Sequence, residues 1–128
     1  TEREARISTR NREDGLIVLA SNLQKQSLAR HVLLKLGEEG LLIYTNASNS
    51  NSNSNSNYNT DRLHSLNKAA RDVSGAGDSL LIASSLALAS GASIWEAATI
   101  GSIAAAIQVG RIGNTPIKAL ELNKELED

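Results

Sequence analysis

Two carboxylates, Asp72 and Asp78, bracket the run Val73-Ser74-Gly75-Ala76-Gly77, and an apolar stretch from Ser79 to Ser90 follows at once. Glycines let a backbone turn tightly and bring its N–H groups close to a ligand, and the first turn of a helix carries N–H donors without partners. Such an end attracts anions, phosphate above all. If Gly75, Ala76 and Gly77 aim their N–H groups at one point, they form an anion hole for the charge that develops on a transferred phosphoryl group. A carboxylate at Asp78, beside that point, could accept the proton of an attacking hydroxyl, the base role that phosphoryl transfer to an alcohol requires. Taken without its surroundings, a Gly-Ala-Gly before a helix reads more simply as a tight turn.

The elements that must hold this loop lie on both sides of it. In "REDGLIVLASNLQKQ" the apolar residues Leu16, Ile17, Leu19, Ala20 and Leu23 recur at helical spacing, with acids ahead and Lys25 behind, which predicts an amphipathic helix with dipole-matched ends. "HVLLKL" and "GLLIYT" are short apolar runs separated by "GEEG", a pattern that predicts two antiparallel strands joined by a glycine-flanked turn. The Asn/Ser alternation that follows, residues 46–59, has almost nothing to bury and is expected to be a flexible expansion at a hairpin tip. Beyond Gly77 the pattern is helical. One helix is expected over Ser79–Ser90, stopped at Gly91, and a capping box at Ser93–Glu96 opens a second, alanine-rich helix that runs toward Val109. Gly101, Ala104 and Ala105 would let that helix lie close against a neighbour. "GRIGNTP" breaks the pattern, and "IKALELNKELED" is expected to form a tail helix with Pro116 near its start.

Composition narrows the function classes. At 128 residues with 41% hydrophobic content, the chain is expected to form one domain, 1–128, with a packed core. Thirteen basic against fourteen acidic residues give a formal charge of −1, so no electrostatic footprint points to nucleic acid or an anionic membrane. Zero cysteines exclude disulfides, a thiolate zinc site and a cysteine nucleophile, and fit a cytoplasmic protein. No apolar run reaches the length of a membrane span, and the start is too charged for a signal peptide. Beginning at Thr1 without Met, the chain reads as a processed product or a cut piece. His31 and His64 lack further ligands at metal-binding spacing and read as surface or packing residues. Trp95 reads as a helix-face anchor, and Arg111 as a capping or solvent-facing residue that could also meet a nucleotide. The P-loop pattern is absent.

With these residues in view, "DVSGAGD" resembles the signature of the PfkB, or ribokinase-like, carbohydrate kinases, commonly D-T-[TS]-G-A-G-D. Upstream, "LLKLGEEGLLIY" is similar to the family's strand-turn-strand element, and "TEREA" to its N-x-x-E element. Downstream, "GSIAAAIQVGRIGN" is similar to its alanine-rich, nucleotide-side helix; through "GRIGN" the chain looks most like the kinase domain of bacterial heptose-phosphate kinase/ADP-heptose synthase enzymes. The resemblance implies an α/β fold, the C-terminal, ATP-side portion of a ribokinase-like layered α/β/α fold without the sugar-binding half. It implies an ATP-dependent kinase that transfers the γ-phosphoryl group to a hydroxyl of a sugar or sugar phosphate. Asp78 would be the base, and Gly75, Ala76 and Gly77 the anion hole. Lys35, Gly37, Gly40, Ser102 and Gly113 would lie toward the nucleotide, although Lys35 stands where the family usually has Thr and Ser102 where Asn is frequent. Glu4 would act on Mg2+ through water, with Thr1 in place of the usual Asn; helix-dipole complementarity is its simpler reading. Asp72 would order the loop and face a monovalent cation. A homo-oligomer is expected. The alternative is a noncatalytic nucleotide-binding or scaffold domain derived from such kinases, which would have no need of an acid at Asp78.

Overall fold

A computed structural model describes residues 1–46, 58–67 and 69–127. The chain forms two compact units, Thr1–Leu63 and His64–Asp128.

The first unit sets two helices on a three-stranded sheet. Helix α1 spans Glu2–Thr9 and opens with a capping box, in which the Thr1 hydroxyl accepts from the Glu4 N–H and the Glu4 carboxylate accepts from the Thr1 backbone nitrogen. Helix α2 spans Leu16–Ser27, where the periodic apolar residues predict it. Strands β1, His31–Lys35, and β2, Leu41–Asn46, pair antiparallel from His31↔Thr45 to Lys35↔Leu41, joined by a single 3-10 turn at Gly37–Glu39. Leu19 and Ala20 of α2 and Ala5 of α1 pack with Leu34, Leu42 and Tyr44 as the core. Burial of the first five residues of β2 marks it as the central strand, consistent with its near-continuous apolar run.

Strand β3, Tyr58–Leu63, is not read from the sequence. It completes the order β1-β2-β3, pairing with β2 from Leu41↔Leu63 to Asn46↔Tyr58. Asn46, Tyr58 and Asn59, placed by composition in the Asn/Ser loop, are thus strand residues, and the rest of that loop, 47–57, lies outside the described residues. The sequence "YNTDRL" carries little apolar alternation because an edge strand can leave most of its side chains in water. Its pairing is completed by Tyr58 stacked on Tyr44 at 5.1 Å, by the Thr60 hydroxyl donating to the Ile43 carbonyl at 2.9 Å, and by the Arg62–Glu39 ion pair.

The second unit is helical: α3 at Ala76–Ala89, α4 at Ile94–Val109 and α5 at Ala119–Glu127. Two boundaries differ from the sequence reading. Helix α3 begins three residues before Ser79, because Gly75 takes up the turn by itself at φ 75° and leaves Ala76, Gly77 and Asp78 in the first helical turn. Helix α5 begins at Ala119 rather than Ile117, its start capped by the Glu121 carboxylate accepting from the Lys118 N–H at 2.7 Å. The capping box of α4 is present, with the Ser93 hydroxyl accepting from the Glu96 N–H and the Glu96 carboxylate accepting from the Ser93 N–H.

Helices α3 and α4 approach closely along a stripe of small residues. Ala97, Gly101 and Ala104 are buried, and a Cβ at Gly101 would lie 2.1 Å from the Ser84 hydroxyl oxygen and 2.9 Å from the Leu80 carbonyl oxygen. The carbonyl belongs to helical backbone and cannot step aside as a side chain can. Replacing Gly101 by Val should therefore separate the helices despite the gain in helix propensity, at a cost of about 1–3 kcal/mol of overpacking. Urea denaturation of the two forms measures it.

Candidate functional site

The second unit brings together the loop before α3 and the loop after α4. The Asp72 carboxylate bridges them: one oxygen accepts from the Ser74 N–H at 2.8 Å and the other from the Gly113 N–H at 3.1 Å. Those two N–H groups, Ser74 first, hold its carboxyl below the usual carboxylate range, since hydrogen bonds to the charged form favour it. The backbone N–H groups of Arg71 and Asp72 donate to the Val109 carbonyl at 2.7 and 3.3 Å, which anchors the loop on the C-terminal end of α4. Asn67 donates its side-chain amide to the Ala106 carbonyl at 3.0 Å in the same place.

Gly75 caps α3 in the left-handed region, φ 75° and ψ −3°. The backbone angle disfavours a side chain there, and the Asn114 amide packs so close, its Oδ1 2.1 Å from where a Cβ would stand, that it would also have to turn aside. The Ala76 N–H is turned back to the Val73 carbonyl at 3.3 Å, whereas the N–H groups of Gly77 and Asp78 have no hydrogen-bond partner among the described residues. Asp78 itself is exposed in this first turn. A groove of about 830 Å³ starts at Gly75 and Asp78 and runs along Ile82 and Leu86 of α3, with Pro116 and Lys118 on its other side. That volume is within the usual range of small-molecule sites.

Two residues important to this arrangement escaped the sequence reading. Gln108 is 1% exposed; its side-chain amide donates to the Ser74 carbonyl at 3.3 Å and to the Gly113 carbonyl at 3.1 Å, and its oxygen accepts from Arg111 at 3.0 Å. Its sequence signal is a polar side chain that continues the Ala97, Gly101 and Ala104 stripe of an otherwise apolar helix. Asn114, against Gly75, had no signal beyond its place in "GRIGN". Arg111 takes the capping reading: besides Gln108 it donates to the Thr115 carbonyl and pairs with Glu121 at 3.0 Å.

Of the other sequence-derived site residues, Ser102 is half-buried on α4, while Lys35, Gly37, Gly40 and Glu4 belong to the first unit. Gly37 and Gly40 flank the hairpin turn at φ 63° and 97°. The carboxylate of Glu4 accepts from the Thr1 hydroxyl at 2.6 Å and closes the capping box of α1. Glu4 thus meets its capping role in full view. Among the described residues no group of three or more His, Cys, Asp or Glu side chains converges on a metal position. His31 shares a hydrogen bond between its Nδ1 and the Thr45 hydroxyl at 2.6 Å, a packing role.

The fold is that of ribokinase-like sugar kinases. The ribokinase structure of Thermotoga maritima superposes with a TM-score of 0.79 at 24% identity, over 99% of this chain and 40% of that one. Phosphofructokinase-2 of Escherichia coli, solved in complex with potassium, gives 0.74 at 21% identity, over 96% of this chain and 37% of that one. Arabidopsis thaliana ribokinase, solved with ribose and ATP, gives 0.68 at 21% identity, over 90% and 35%. The chain belongs to the pfkB family of carbohydrate kinases, whose profile matches residues 1–119. Curated relatives named bifunctional protein HldE are 30% identical, from Desulfatibacillum aliphaticivorans over 85% of this chain and from Shewanella baltica over 98%. The chain spans 20% and 24% of their lengths, respectively. Among the described residues, no helix is long and apolar enough to cross a membrane.

The bridge at Asp72 has a pH signature. A carboxyl whose pKa is lowered on folding contributes stability that is present above its unfolded value and lost as pH falls through its folded value. Asp72→Asn should therefore lower Tm most near neutral pH, and the gap to wild type should close as the pH falls below 3.8, the ordinary value for the group. Thermal melts of both forms across that range check it.

Proposed function

We propose that the chain is the ATP-side part of a cytoplasmic sugar kinase that transfers the γ-phosphoryl group of ATP to a hydroxyl of a sugar or sugar phosphate. The observation that carries this is the first turn of α3, where Gly75 opens the helix, the Gly77 and Asp78 N–H groups stand without partners among the described residues, and the Asp78 carboxylate leaves the same turn. The Ala76 N–H is taken by the Val73 carbonyl, so Asp78 replaces Ala76 among the donors read from the sequence. Donors already fixed in place stabilise charge on a migrating phosphoryl group without reorganising at the moment of reaction. Asp78, held in the same turn, takes the proton of the acceptor hydroxyl as the oxygen attacks phosphorus, and the leaving ADP carries the electron pair of the broken bond.

The family membership and the Arabidopsis protein solved with ribose and ATP support both substrates; the resemblance of "GRIGN" to the heptose-phosphate kinase domain supports a sugar phosphate among the acceptors. Lys35, Gly37, Gly40, Ser102 and Gly113 are the residues proposed to lie toward the nucleotide. Mg2+ bound to the nucleotide would neutralise phosphate charge, and because this ion keeps several waters, Glu4 would act on it through water. The potassium in the Escherichia coli relative supports a monovalent cation beside Asp72. A homo-oligomer is part of the proposal.

In the full-length protein, Asp78→Asn should lower sugar phosphorylation by about 10²–10⁴-fold while nucleotide affinity, read by titration calorimetry, stays near wild type. Turnover close to wild type would remove Asp78 from the base role. The 128-residue chain alone is a second test. Leu81, Ile82 and Leu86 leave an apolar face of α3 exposed, and patches of this kind tend to be buried by association. Alone, the chain should bind ATP weakly, phosphorylate none of a panel of sugars and sugar phosphates, and sediment as a dimer or larger. Robust turnover by a monomer would show that the acceptor site is complete within these residues.

A further inference from the structure

We propose that Gln108 is the positioning residue of this site, one buried amide that holds the loop before α3 and the loop after α4 in a single register. The inference rests on the phosphoryl-transfer reading for its kinetic consequence, and on geometry alone for its structural one.

Gln108 stands at the point where four segments meet. Its two amide hydrogens go to different loops, one to the Ser74 carbonyl immediately before Gly75 and one to the Gly113 carbonyl immediately before Asn114. Each target is therefore the residue next to a partner in the Gly75–Asn114 contact. Its oxygen accepts from Arg111, which in turn reaches the Thr115 carbonyl and Glu121 of α5. A glutamine amide has two donor hydrogens and one acceptor oxygen, and here both ends are engaged.

The effect on the anion hole is geometric. The Ser74 carbonyl belongs to the peptide whose N–H is that of Gly75, so holding the carbonyl fixes the plane of the peptide that enters the left-handed cap. Rotation of that plane would swing the following N–H groups of the first α3 turn away from a common point. Asp72 reaches the same two loops through the Ser74 and Gly113 N–H groups, so the loops are tied through donors by the carboxylate and through acceptors by the amide. Asp72 is half-buried in this arrangement and Gln108 lies at its buried centre. Loss of the amide would take from the Ser74 carbonyl its donor and leave the Gly113 carbonyl with the Thr115 N–H alone, so neither loop would be held to α4 through this residue.

The test reads the loops and the chemistry separately, in the full-length protein. Amide hydrogen exchange is followed at the hydrogen-bonded N–H groups of Ser74 and Ala76 in one loop and of Gly113 and Thr115 in the other, and steady-state kinetics are taken with the sugar substrate, for wild type, Gln108→Leu and Gln108→Glu. Gln24→Leu is the control, since Gln24 is also buried but donates to the Arg30 carbonyl in the first unit. Gln108→Leu should raise exchange about tenfold or more in both segments together. It should lower kcat about tenfold while the KM for sugar stays within about threefold, the signature of an interaction that acts on the transition state. Gln108→Glu keeps the acceptor toward Arg111 but has no donor when ionised. It should reproduce the loss at neutral pH and recover toward wild type as the pH falls and its carboxyl regains an O–H, a response that packing alone would not produce. Gln24→Leu should move neither loop. Exchange that rises in one loop only, or in neither, overturns the proposal, as does a Glu variant whose activity relative to wild type is flat with pH. If the Leu variant does not fold, the Glu variant decides by the same two readings. A wild-type protein without sugar kinase activity would remove the functional reading and leave exchange to decide Gln108 by itself.

Discussion

The close approach of α3 and α4 is the constraint on which the second unit depends. Ala97, Gly101 and Ala104 form the contact stripe, and the absence of a side chain at Gly101 lets the Leu80 carbonyl and the Ser84 hydroxyl come within reach of the helix backbone. Dispersion contacts between helices fall off steeply with separation, so a stripe of small residues gains by proximity what it lacks in side-chain area. Helix register then carries the consequence along the chain. Gln108 continues the same face one turn beyond Ala104 and is therefore delivered, buried, to the end of the interface where both loops pass.

That delivery explains why a polar residue can end an apolar stripe. A buried amide without partners costs about 1–3 kcal/mol, but at Gln108 both ends are engaged, the nitrogen by the Ser74 and Gly113 carbonyls and the oxygen by Arg111. The two loops have little regular structure of their own, and their carbonyls are satisfied by Gln108 and Arg111 rather than by a ladder. Polar groups of this kind, satisfied together, hold a loop more narrowly than apolar packing does, because hydrogen bonds are directional. The first turn of α3 inherits its orientation from this network and from the glycine that enters it.

The first unit rests on a different constraint, the central position of β2. Paired on both sides, it has no free ladder, and its side chains are buried except at Asn46. Leu42 and Tyr44 face the core shared with α1 and α2. Tyr44 also supports the edge, since Tyr58 stacks on it at the far end of β3. A polar edge strand can be held this way because its backbone hydrogen bonds go to β2 whatever its side chains are.

Much of this was legible in the residues. The spacing of Leu16, Leu19, Ala20 and Leu23 determined α2, the two apolar runs around "GEEG" determined the hairpin, and Ser93 with Glu96 determined the start of α4, because each is a local pattern in which neighbouring residues interact with one another. The heptapeptide from Asp72 to Asp78 likewise announced a tight turn into a helix, with the carboxylate of Asp78 read as preceding the helix rather than lying in its first turn. What the sequence could not determine is what depends on residues distant along the chain. Strand β3 exists because β2 offers it a ladder, and its own composition is silent. The helix begins at Ala76 because Gly75 alone absorbs the turn, against Asn114 some forty residues on. Gln108 is a lone polar residue in the sequence and becomes the junction of two loops only when α4 lies against α3. Local propensity is written in adjacent side chains, whereas the partners of a buried amide are chosen by packing, and packing is decided by the whole fold.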